Sequence, residues 1–146
     1  MSFLYRLNTT DTNCSFTIAD FNEVKGKMLS WANQFSIFCF LDNHSYQVGP
    51  NSLECILGVG ASDKIIGGEV YALEELQLFI DKSKKTLFGH LAYDLKMQAE
   101  ATIPGETNKL KFPDFFFFEP SIIIRLTEKE IKIESGRKSS PGVSSF

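Results

Sequence analysis

Phe115-Phe116-Phe117-Phe118-Glu119-Pro120-Ser121-Ile122-Ile123-Ile124-Arg125-Leu126-Thr127-Glu128-Lys129-Glu130-Ile131-Lys132-Ile133-Glu134 is the stretch that decides the fold. Its aromatic and β-branched residues suit a pleated, half-buried surface better than a helix. Residues 115–118 and 121–126 read as two strands, with Thr127-Glu128-Lys129-Glu130 as a turn. Beyond the turn, Ile131 and Ile133 alternate with charged residues, which completes a hairpin. Four consecutive Phe are tempting as a stacking platform for a ligand. Successive side chains of a strand face opposite sides, however, so two layers can bury them and a core role is expected.

Upstream, residues 86–93 read as a strand entering a short polar helix over 94–101, and Pro104-Gly105-Glu106-Thr107 breaks the chain. A helix opens near Tyr71, with Leu73, Leu76 and Ile80 on one face and Phe79 beside them. Lys82, Lys84 and Lys85 complement its C-terminal dipole. Residues 35–41 and 53–59 are apolar runs that read as two buried strands. Asp42-Asn43-His44-Ser45 closes the first, and Val48-Gly49-Pro50-Asn51 continues the turn chemistry, so antiparallel pairing is expected. Asp20 and Glu23 have capping-box spacing ahead of Phe21, Val24, Met28, Trp31 and Ala32, which predicts a helix over 19–32. Gly26 lies on its other side. Residues 3–7 read as a strand and 8–13 as a polar turn. From Ser135 on, the Ser/Gly/Pro composition predicts a tail or linker behind a domain spanning 1–134. This order predicts an α+β fold of mostly antiparallel sheet with helices on one face, and hints at an α-β-β unit used twice.

The chain has 146 residues, of which 43% are hydrophobic and 23% charged, enough for one domain with a real core. Fourteen Phe make that core aromatic-rich. Fifteen basic against 18 acidic residues give a net charge of −3, which argues against nucleic acid or an anionic membrane as partner. Apolar stretches end well short of a membrane span, and the N-terminus lacks the pattern of a signal peptide. Cys14, Cys39 and Cys55 are odd in number and far apart, fitting neither a disulfide framework nor a zinc site. A soluble, cytoplasmic protein is the expectation.

Few residues suggest chemistry by themselves. His44 and His90 are the only histidines, and no Cys, Asp or Glu stands at ligand spacing from them on one element, so no metal site is expected. His90 reads as a strand residue with a satisfied ring. Cys39 and Cys55 read as small core residues. Gly58-Val59-Gly60-Ala61-Ser62-Asp63 follows a strand but lacks the third glycine and the helix of a dinucleotide site, so a sheet turn is expected. Asp42, Glu54, Asp94, Glu100, Asp114 and Glu119 are scattered at strand ends and turns.

Lys85-Thr86-Leu87-Phe88-Gly89-His90-Leu91-Ala92-Tyr93-Asp94-Leu95, followed by Glu100, resembles the F-x-G-x-x-x-Y-D-L…E segment of the chorismate-utilising enzymes. These are component I of anthranilate synthase and of para-aminobenzoate (aminodeoxychorismate) synthase. Phe112-Pro113-Asp114-Phe115-Phe116-Phe117 resembles their L-P-D stretch leading into a strand, and the hairpin over 122–134 their next paired strands. Phe40-Leu41-Asp42-Asn43 stands where the family carries L-L-E/D/H-S, and Leu53-Glu54-Cys55-Ile56-Leu57-Gly58 where it carries R-F/Y-x-I. The resemblance covers about residues 31–134 and is specific in order and spacing. It implies the N-terminal region of such an enzyme, with two sheets packed orthogonally and helices outside. The magnesium ligands and acid/base groups would belong to a separate C-terminal chorismate-binding part. This chain would then carry no catalytic residue or cofactor and would not turn over chorismate alone. Its implied partners are that C-terminal part and, for an amidotransferase-type parent, a glutaminase subunit.

The resemblance further implies an aromatic amino-acid pocket, which falls on Leu41, Asp42, Asn43, Ser52 and Leu53. Asn43 replaces the family's serine and keeps hydrogen-bonding capacity. Ser52 and Leu53 replace its arginine and aromatic residue, which removes a charge partner and a stacking surface. Tryptophan is therefore not expected to bind, and a para-aminobenzoate parent is favoured over an anthranilate one. The alternatives are an anthranilate synthase domain, a free-standing aromatic amino-acid sensor, or an unrelated structural domain.

Overall fold

The structure, a computed structural model, describes residues 12–46, 52–67, 72–92 and 113–135. The strand expected over 3–7, the turn at 48–51, the helix over 94–101, the break at 104–107 and the tail from 136 on lie outside the described residues, as does Tyr71, where the next helix is expected to open. Among the described residues two helices and eight strands are seen, and every strand pair is antiparallel. The class is α+β, rich in β. The chain divides into two compact units, one of Met1–Gly60 with Ser121–Phe146 and one of Ala61–Pro120.

The first unit holds β1 (Thr12–Thr17), α1 (Phe21–Ala32), β2 (Phe38–Asp42), β3 (Cys55–Val59), β7 (Ile122–Leu126) and β8 (Glu130–Ser135). Its strands lie in the order β1-β8-β7-β3-β2. Asp20 caps α1 by accepting from the backbone N–H groups of Asn22 and Glu23, at 2.9 and 3.1 Å. Met28 and Ala32 on α1 are buried against Leu57, Val59, Ile124, Leu126 and Ile131, with Phe21, Val24 and Trp31 packed around them. That is the expected helix stripe on one face of the sheet. The register sets Leu57 opposite Ile124 and Leu126 opposite Ile131, so alternate residues of three neighbouring strands share that face. Thr127 forms the turn before β8, its Oγ1 accepting from the Glu130 N–H at 3.1 Å.

Two expectations for this unit need correction. The apolar run 35–41 is not one buried strand. Phe35 packs edge-on against Trp31, with ring centroids 4.8 Å apart, and β2 begins only at Phe38. As the edge strand, β2 leaves Phe38 and Leu41 exposed, since a continuous apolar run does not reveal which strand is outermost. The polar stretch read as a turn over 8–13 runs into β1, which pairs along its whole length with β8. Its Thr, Asn and Ser content hid the pairing.

The second unit holds β4 (Asp63–Gly67), α2 (Ala72–Lys82), β5 (Phe88–Leu91) and β6 (Phe115–Glu119), the strands in the order β4-β6-β5. The Phe run is thus the central strand. Phe115 and Phe117 pack with Ile65 and Leu76 of α2, while Phe116 and Phe118 line up on the other face with His90 and Phe88. β4 begins at Asp63, the last residue of the stretch 58–63 that reads as a sheet turn, and is a short, glycine-ended strand. The expected α2 face is also narrower than its pattern: Leu76 is buried, but Leu73 and Ile80 are exposed. One turn of apolar contact is all that a three-stranded sheet receives.

Gly89 sits where the backbone of β6 comes closest. A Cβ there would overlap the Phe116 carbonyl oxygen and the Phe117 ring, and the carbonyl cannot rotate away without breaking the ladder. Gly89→Ala is therefore expected to cost about 2–3 kcal/mol, the range of overpacking substitutions. Urea unfolding checks this. A loss under 0.5 kcal/mol would show that β5 can shift freely.

Candidate functional site

The closest grouping of charged side chains lies at the open end of the β2–β3 pair. Lys25 sits on α1 one turn past Phe21, and its Nζ lies 5.6 Å from that ring's centroid. The ammonium donates to Asp42 Oδ1 at 2.9 Å and to Glu54 Oε1 at 2.7 Å. The side chains of Lys25, Asp42 and Glu54 are 16%, 20% and 6% exposed, so the trio is mostly withdrawn from water. Asp42 Oδ1 also accepts from the His44 N–H, and Glu54 Oε1 from the Ser45 N–H, at 2.9 and 3.0 Å.

Those backbone bonds explain the turn. His44 and Ser45 have φ of 52° and 61°, left-handed for two successive non-glycine residues. Each such residue costs on the order of 1 kcal/mol, offset here by charge-assisted hydrogen bonds to the carboxylates. The Asn43 N–H donates to the Glu54 carbonyl at 2.8 Å, and the Asn43 side-chain amide donates to the Tyr46 carbonyl. The Glu54 N–H donates to the Leu126 carbonyl at 2.7 Å. Helix, hairpin end and central strand are thereby tied at one point.

Partial burial acts to lower the Lys25 pKa, but its hydrogen bonds to Glu54 and Asp42 outweigh that and hold it above the ordinary lysine value. The Lys25 ammonium, with the His44 N–H, holds the Asp42 carboxyl below its ordinary value. Both shifts move away from neutrality. Neither group is therefore suited to proton transfer near pH 7, which would call for values drawn towards it.

Of the five residues assigned to an amino-acid pocket, Asp42 and Asn43 line this cluster, half-buried. Leu41 is 55% and Leu53 40% exposed, so neither builds an apolar wall, and Ser52 is half-buried. Sequence reasoning placed Glu54 among scattered strand-end carboxylates and missed Lys25. A signal was present: Lys25 stands four residues after Phe21 and three before Met28, on the apolar stripe, where a lysine needs a partner.

A second buried carboxylate, Glu119, lies in the other unit. Its Oε1 accepts from Ser62 Oγ at 2.8 Å and Lys85 Nζ at 3.1 Å, and its Oε2 from Ser83 Oγ at 3.2 Å. Burial acts to raise its pKa, but the bonds from Ser62 and Lys85 prevail and lower it. Every contact here joins the end of β6 to the start of β4 and the α2–β5 connection, so the cluster is a structural pin. Lys85, expected to serve the helix dipole, goes instead to this carboxylate.

Burial raises the Cys39 thiol and pushes Cys55 up to about 11, which keeps both protonated and poor nucleophiles. His90 lies on β5 with its ring centroid 6.3 Å from that of Phe116. Among the described residues, no group of three or more His, Cys, Asp or Glu could hold a metal ion, and no helix is long and apolar enough to cross a membrane. Asp94, Glu100 and Phe112 lie outside the described residues.

The chain matches no family model, no curated protein and no solved structure.

Proposed function

We propose that this chain is the N-terminal, non-catalytic domain of component I of a para-aminobenzoate (aminodeoxychorismate) synthase, cytoplasmic, and acting on chorismate only when joined to a C-terminal catalytic part. The observation that carries the reading is a pairing. Four segments that resemble the family fall into two pairs, each pair on successive strands of the chain. Residues 40–43 and 53–58 meet across β2 and β3, and residues 88–91 and 115–118 meet across β5 and β6. The pairing agrees with the order of segments in the resemblance, and successive strands also pair this way in unrelated folds.

The electrostatics also favour a non-catalytic role, since the best-formed charged cluster holds its protons away from neutrality. The proposal carries with it the family's orthogonally packed sheets, a magnesium-dependent catalytic part and, for an amidotransferase-type parent, a glutaminase subunit as partner. An anthranilate-forming parent is the second choice, because Ser52 and Leu53 supply neither the charge nor the aromatic surface associated with tryptophan.

Calorimetry separates this reading from a free-standing sensor. L-Tryptophan, L-tyrosine and L-phenylalanine titrated into the 146-residue chain are expected to give only heats of dilution. Saturable binding of any of them would favour the sensor.

A further inference from the structure

At the end of the β2–β3 pair, two carboxylates from separate segments converge on one ammonium, and that ammonium belongs to the chain itself. Asp42 and Glu54 can only accept hydrogen bonds when ionised, so the part of a ligand that suits them is a donor carrying positive charge. Lys25 Nζ fills that position at 2.9 and 2.7 Å. The His44 and Ser45 N–H groups add one bond to each carboxylate, so both are already shaped and partly neutralised without a ligand. The imidazole of His44, 88% exposed, stands 3.9 Å from Asp42 Oδ2 at the outer edge. Lys25 reaches the site from α1 past the Phe21 ring, its Nζ 5.6 Å from the ring centroid, so its removal would leave two carboxylates beside an aromatic ring without their ammonium.

We propose that Lys25 is a resident substitute for a primary-ammonium ligand: the chain closes this site with its own side chain, and a free amine enters only when Lys25 is shortened. The inference rests on the reading of this hairpin end as an amino-acid pocket. It makes the proposed domain indifferent to free amino acids because its ligand is built in.

The test compares ethylammonium with tetramethylammonium at equal concentration, by thermal melting of the 146-residue chain. Trp31, the only tryptophan, lies on α1, packs half-buried against the core and reports on the site's own unit. On Lys25→Ala, ethylammonium is expected to raise the melting midpoint by about 3 °C or more over tetramethylammonium, as a ligand bound only by the folded state does. The original chain and Lys25→Met, whose side chain fills the space without a charge, are expected to respond equally to both cations. Should Lys25→Ala be unfolded without additive, the comparison is read on refolding from urea, where only ethylammonium should restore the Trp31 signal. Equal effects of the two cations on Lys25→Ala would overturn the proposal. So would a preference for ethylammonium in the original chain or in Lys25→Met. A native gene product of 16.5 kDa would sink the enzyme-domain reading without touching this result, so the two can fail separately.

Discussion

Phe115→Ala is expected to cost about 4 kcal/mol, near the top of the range for deleting a buried aromatic ring. Phe115 is fully buried on the central strand of the second unit's sheet, packed with Leu76 of α2. Its ring lies directly over Gly67, so close that a Cβ there would overlap it. A glycine has no side chain to swing into the vacated space, and Leu73 and Ile80 of α2 are exposed rather than packed beside it. The cavity should therefore stay open. Hydrogen exchange read by mass spectrometry checks this: protection should fall most in peptides from Ala61–Pro120, and less around Leu57 and Leu126. Unchanged protection of β4 and β6 would show that the ring is not what holds α2 to its sheet.

Lys25→Met should cost about 3 kcal/mol at neutral pH, because truncating one member of a mostly buried charge cluster leaves the others unpaired. Methionine keeps most of the apolar stem, so the loss reports charge rather than packing. The pH dependence gives the sign. The lowered Asp42 pKa contributes stability that is present above the ordinary carboxylate value, about 3.9, and disappears as pH falls through its folded value. The raised Lys25 pKa contributes stability present below the ordinary lysine value, about 10.4, and lost as pH rises through its folded value. The gap between the two proteins should thus be widest across the middle of that window and shrink at both ends. Thermal melts followed by Trp31 fluorescence measure it. A gap independent of pH would assign the loss to packing and remove the ion cluster from the account of stability.

Much of the architecture is legible in the sequence because periodicity reports burial. The stripe of Phe21, Val24, Met28 and Trp31 marks α1, and Asp20 marks its start. The Phe run and the hairpin behind it mark β6, β7 and β8. The strands whose sequence reads as turns have a common feature. Among the described residues β1 and β4 are edge strands, where side-chain surface meets water, so Thr12–Thr17 and Asp63–Gly67 carry polar or glycine-ended sequence that also suits turns. β2, the other edge of the first sheet among the described residues, is apolar and reads as interior. The candidate site was half legible: Asp42 and Asn43 follow from a resemblance, whereas Lys25 and Glu54 lie 29 residues apart and meet only through the tertiary fold.

The most direct test of the central proposal is to recover the native gene product from its source cells with an antibody against this domain. It would be sized by immunoblot, and the precipitate supplied with chorismate, magnesium and ammonia. The expected result is a band several times larger than 16.5 kDa that converts chorismate to aminodeoxychorismate. A band at 16.5 kDa, with no turnover of chorismate, would contradict it.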